Sequence, residues 1–183
     1  MKIITTKPFD LNDFKIGYFL VHKGTGSFFN NQIVLEQRKE GFEDWKCEYT
    51  HVGTSIGAYS LDAIFPKSGV FNIRKKFGGK EIMLVRAKGY NDEKHKKFAI
   101  WSATKTNLPY GWFSLLYFKA EAIFGDKNIL ASIKKPFCSY KEGWAMHREL
   151  IGFWDKPLNK LMPADFLDQE RFEYIWQGVI PSL

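Results

Sequence analysis

Short apolar runs broken by glycine and proline fill the first half of the chain, and helical spacing takes over in the second. Lys15–His22 (Lys-Ile-Gly-Tyr-Phe-Leu-Val-His) is apolar enough to predict a strand buried on both faces, ended by Gly24-Thr25-Gly26. Ser27 predicts a cap for a helix running to about Gln37, with Phe29, Ile33 and Val34 turned inward. Arg38 to Trp45 is a charged connection. Glu48–Ile56 and Ser60–Phe65 then read as strands around a Gly57-Ala58 turn. Pro66-Lys67-Ser68-Gly69 reads as a closing turn, with a third strand over Val70–Arg74. Glu81–Ala87 is a compact apolar run suited to a central strand.

In the second half, Asn91 predicts a cap for a helix over Asp92–Ala103 with Phe98 and Trp101 inward. Pro109-Tyr110-Gly111 precedes a periodic stretch, Trp112–Phe124, that Gly125 stops. Pro136-Phe137-Cys138-Ser139-Tyr140 reads as the opening of another helix. It should run to about Phe153 with Tyr140, Trp144, His147 and Ile151 on one face. Pro163-Ala164-Asp165 suggests a further cap, and Arg171–Val179 alternates as an edge strand would. There is no repeat or linker. The expectation is one domain over residues 1–183, α+β, with an antiparallel sheet packed against helices.

Composition changes this picture little. At 183 residues, 45% hydrophobic and 26% charged, the chain is long enough and apolar enough for a sizeable core. The 17% aromatic share suits a bulky core or an apolar groove. The net charge of +7 favours anionic partners, an anionic surface touched peripherally among them. Yet the clusters Arg74-Lys75-Lys76, Lys94-His95-Lys96-Lys97 and Lys134-Lys135 are short and read as solvated surface, so nucleic acid is not indicated. No segment has the roughly 18 apolar residues of a membrane span, and Met1–Leu20 does not read as a signal peptide, which makes a cytoplasmic protein the default expectation. Two cysteines allow at most one disulfide, and nothing resembles a zinc array.

The candidate chemistry centres on Cys138. At a helix start its sulfur lies near unpaired N–H groups and the positive end of the helix dipole, both of which favour thiolate. His51, inside Tyr49-Thr50-His51-Val52-Gly53, is the candidate base. If the hairpin turns about Ile56-Gly57, His51 sits directly opposite Asp62, with Cβ atoms roughly 4.5–5.5 Å apart. A one-residue slip would send Asp62 to the other face. Cys138, His51 and Asp62 would then be nucleophile, base and orienting acid. The Cys138 N–H is a candidate oxyanion donor, with Tyr18, Tyr140 and His22 as candidates for the second. The competing readings are a Cys138 that is a small buried hydrophobe, a structural strand histidine and a surface Asp62. Cys47 is a rival thiol, His95 reads as solvated among lysines, and His147 lies too far along the Cys138 helix to serve that thiol.

Several of these pieces, in this order, resemble the circularly permuted NlpC-type, papain-like cysteine peptidases (the YiiX/YaeF-like group). Ile16–Gly26 resembles the family's opening strand and glycine turn, Tyr49–Gly53 its histidine strand, and Leu61-Asp62-Ala63 with Gly69-Val70 its next strand. Tyr110–Phe124 is similar to its helix before the nucleophile, Phe137-Cys138-Ser139 to its nucleophile motif, and Pro163–Phe166 with Trp176 to its closing segment. The resemblance implies a papain-like sheet or half-barrel packed on helices and thiol-dependent cleavage or transfer at an amide or ester, with Cys138, His51 and Asp62 in the active roles. It implies no metal or organic cofactor. The substrate it suggests is a peptide, such as a cell-wall stem peptide, or an acyl-lipid. The chain departs from the pattern in having Asp62 where Glu is common, Gly17-Tyr18 in place of Gly-Asp, and Tyr140-Lys141-Glu142-Gly143 after the nucleophile. A lipid acyltransferase or deacylase of the same order, and a basic binding domain without catalysis, are the alternatives.

Overall fold

The computed structural model describes residues 7–64, 67–104, 106, 138–149 and 152–182. Six strands form one antiparallel sheet: β1 (Phe19–Lys23), β2 (Tyr49–Ile56), β3 (Tyr59–Ile64), β4 (Lys67–Asn72), β5 (Glu81–Ala87) and β6 (Phe172–Val179). Their spatial order is β4-β3-β2-β1-β5-β6. Among the described residues the α-helices are α1 (Phe28–Lys39), α2 (Asp44–Cys47), α3 (Ile73–Phe77), α4 (Asp92–Ala103) and α5 (Cys138–Glu149). The expected α+β class with an antiparallel sheet against helices is therefore what the chain forms. No helix among the described residues is long and apolar enough to cross a membrane.

Period-two alternation explains how the sheet is covered on both sides. Phe19 and Val21 of β1, with Met83 and Val85 of β5, join Phe98 of α4, Met146 of α5, Trp154, Phe166 and Phe172 in one buried cluster. Leu20, Ile82, Leu84 and Trp176 face the other way, under Phe14 and the α3 residues Ile73 and Phe77. Each fully buried Phe contributes about 1.5–3 kcal/mol of transfer free energy.

Side-chain caps on Ser27 and Asn91 accept from Asn30 N and Lys94 N, as their sequence positions predict. β1 starts four residues later than expected. Gly17 has φ of 84° and its own backbone lies so close to α4 that a Cβ would fall 2.2 Å from His95 O, so Lys15–Gly17 turns instead of extending. β4 corrects the Pro66–Gly69 turn: Lys67, Ser68 and Gly69 pair with Ile64, Ala63 and Asp62, and Ile73-Arg74 begins α3. α5 also corrects its expected inward face. Trp144 is half-buried and His147 exposed, while Lys141, Glu142, Ala145 and Met146 are buried. The helix expected over Trp112–Phe124 lies outside the described residues.

Candidate active site

Gln37 of α1 anchors the strand that carries the histidine. Its Nε2 donates to Cys47 O (3.0 Å) and Tyr49 O (3.1 Å), and its Oε1 accepts from Ala164 N (2.8 Å). β2 then pairs with β1, placing His51 directly beside His22. On its other side β2 pairs with β3 for three residue pairs only, Thr54–Leu61, Ser55–Ser60 and Ile56–Tyr59. The expected direct opposition of His51 and Asp62 is therefore corrected by two residues. Continued along the strands, the observed register sets Gly53 across from Asp62 and makes Asp62 the diagonal neighbour of His51. Because the slip is even, the carboxylate stays on the histidine's face. Nε2–H of His51 donates to Asp62 Oδ1 at 2.9 Å.

Gly53 makes that diagonal reach open. A Cβ on residue 53 would lie 2.0 Å from Asp62 Oδ1 and 2.6 Å from its Cγ. The carboxylate occupies the space a side chain would take. Ser60 Oγ donates a short hydrogen bond to Asp62 Oδ2, so both carboxylate oxygens are held in a fully buried position.

Cys138 is the first residue of α5 and is 2% exposed. Burial pushes its thiol up, but the His51 charge, the His51 hydrogen bond and the Val52 and Ser139 N–H groups outweigh it and hold the thiol below its ordinary range. Since Nε2 of His51 is bonded to Asp62, Nδ1 is the nitrogen left for the thiol. Burial works against the His51 charge, yet the Cys138 thiolate and the Asp62 carboxylate raise it to about 10. Asp62 is likewise opposed by burial and lowered to about 2 by His51, His22 and Ser60. The three residues are thus brought together with the thiol and the carboxyl lowered and the imidazole raised, each shift favouring the charged form.

α5 is fixed beneath this group by polar contacts that its sequence does not advertise. Lys141 Nζ donates to Glu142 Oε1 (2.8 Å), Ser102 Oγ (2.6 Å) and Leu61 O (3.4 Å), and both charged side chains are fully buried. Glu142 Oε2 accepts from Ser102 Oγ (2.9 Å) and, in a short bond, from Thr54 Oγ1. Ser139 Oγ donates to Leu161 O at 2.5 Å. One ion pair thereby ties α5 to α4, β2 and β3.

Of the other candidates, Cys47, His95 and Tyr18 separate from the site and His22 does not. Cys47 is buried at the end of α2, donates to Phe42 O at 3.4 Å, and is pushed up by burial, the direction opposite to that of Cys138. Both cysteines are free. His95 is buried, contrary to its lysine-rich surroundings, and its Nδ1–H donates to Gly17 O at 3.1 Å. Tyr18 stacks edge-on against His95 at 5.1 Å. His22 lies inside the site, but burial and the His51 charge depress it to about 3, leaving it neutral. His22, His51 and Asp62 are the group among the described residues whose metal-ligating atoms converge, all within 4.8 Å of one another. Gly53 stood in the quoted histidine motif without an assigned role; Ser60, Lys141 and Glu142 gave no signal beyond being polar. A scan against protein-family models finds no match, and neither does a search of curated proteins.

Proposed function

We propose that this protein is a thiol-dependent hydrolase of the permuted papain-like kind, cleaving an amide or ester through an acyl-enzyme. The observation that carries the reading is the chain of contacts from Asp62 through His51 to Cys138, with the thiol at a helix start. The thiolate attacks the carbonyl carbon, and the carbonyl electron pair moves onto oxygen. The Cys138 N–H, at the helix start, would donate to that oxyanion. His51 gives its Nδ1 proton to the leaving amine or alkoxide as the C–N or C–O bond breaks, leaving a thioester. Water then attacks, His51 takes its proton, and the C–S bond breaks to return thiolate and imidazolium. Transfer to another acceptor follows the same steps with that acceptor in place of water. The substrate class that fits is a peptide, including a cell-wall stem peptide, or an acyl-lipid.

The test is labelling by a limiting thiol-selective electrophile across pH, with peptide mapping, on wild type and His51→Ala. Fast modification of Cys138 near neutral pH, slow modification of Cys47, and slowing of Cys138 in His51→Ala are expected. Equal, slow labelling of both cysteines would overturn the assignment.

A further inference from the structure

His22 is almost fully buried, at 4% exposure, and its Nε2 has no hydrogen-bond partner. An orphaned nitrogen of this kind keeps its desolvation cost with no hydrogen bond to offset it. It is aimed at the site: Nε2 lies 3.9 Å from Asp62 Oδ1, too long for a hydrogen bond and near the spacing of two atoms that share a metal ion. The ring is fixed there, edge-on against Phe77 at 4.1 Å and against His51 at 4.9 Å.

We propose that His22 Nε2, His51 Nε2 and Asp62 Oδ1 form a binding site for a divalent transition-metal cation, Zn²⁺ by preference, that shuts off the thiol site reversibly. The inference of inhibition rests on the hydrolase reading; the inference of binding does not. Zn²⁺ bonds nitrogen and oxygen donors at about 2.0–2.2 Å, so tetrahedral donors stand about 3.3 Å apart. The two contacts to Asp62 Oδ1, 2.9 and 3.9 Å, bracket that spacing, and the full set lies within 4.8 Å. Two imidazoles and one carboxylate suit Zn²⁺, while Mg²⁺ and Ca²⁺ want oxygen cages. The bond from Ser60 to the free carboxylate oxygen is the kind of outer contact that steadies a ligand. The cation would replace the proton that His51 Nε2 shares with Asp62, displacing it to solvent. His51 could then no longer carry two protons, and the imidazolium that supports the Cys138 thiolate would be lost.

The experiment measures Zn²⁺ affinity by competition with a chromophoric chelator on the full chain, for wild type, Cys138→Ser, Cys47→Ser and His22→Gln. One Zn²⁺ per wild-type chain is expected, retained in both cysteine variants and weakened about tenfold or more in His22→Gln. Co²⁺ bound to wild type should show no thiolate charge-transfer band, a readout that does not depend on His22→Gln folding. Zn²⁺ should slow Cys138 labelling in wild type but not in His22→Gln, each referred to its own metal-free rate, while Mg²⁺ should leave both unchanged. No binding, binding lost in Cys138→Ser, or a thiolate band with Co²⁺ would each overturn the site. Binding as expected in a protein whose Cys138 labels as slowly as Cys47 would leave the metal site standing and remove the hydrolase.

Discussion

Gly53 and Asp62 contend for the same space, and the absence of a side chain at 53 is what leaves room for the carboxylate. Gly53→Ala forces the carboxylate off its line to His51, since a Cβ at residue 53 would lie 2.0 Å from Asp62 Oδ1. Asp62→Asn keeps the shape but removes the charge that holds the imidazolium. We expect each substitution to slow Cys138 labelling at neutral pH by roughly 10²-fold. We expect the double variant to be no slower than the worse single one, because both disable one contact. Additive losses, read from labelling rates of the three variants, would show that Gly53 acts elsewhere.

α5 shows why element-level reading of a sequence stops short. Its start was legible from the Pro136–Tyr140 stretch, β5 from a compact apolar run, β2 from the turn at Gly57-Ala58 that follows it, and the caps on α1 and α4 from side-chain chemistry. Its buried face was not. Lys141 and Glu142 lie outside the inward face expected from Tyr140, Trp144, His147 and Ile151, and only the distant Thr54, Ser102 and Leu61 make their burial tolerable. β4 was misplaced for a related reason: Lys67, Ser68 and Gly69 carry turn chemistry, and pairing with β3 overrides it. That Asp62 shares a face with His51 was legible because an even slip in a hairpin does not change which face a residue occupies. Glu142→Gln leaves Lys141 buried without its counter-charge, an effect of about 3–5 kcal/mol. Thermal unfolding should show a Tm lower by roughly 10 °C, and Lys141→Met combined with Glu142→Leu should recover part of it. An unchanged Tm in Glu142→Gln would mean that the pair contributes nothing.

For the whole molecule, the site's charges link folding to pH. Asp62 is lowered from 3.8 to about 2, so its contribution is full above the unfolded value and is lost as pH falls towards 2. His51 is raised from 6.5 to about 10, so its contribution is full below 6.5 and is lost as pH rises through about 10. Urea midpoints should fall at both extremes in wild type, and the acid fall should flatten in Asp62→Asn. The β2–β3 ladder is three pairs long and ends at Thr54–Leu61. Ser55 N–H donates to Tyr18 O on the β1 side, so by alternation Val52 N–H points the other way, past the end of that ladder. That donor reaches the Cys138 sulfur instead of a carbonyl of β3. Had the two strands stayed zipped together to their ends, the sheet would have consumed its own donor, and the sulfur would have lost a stabilising partner.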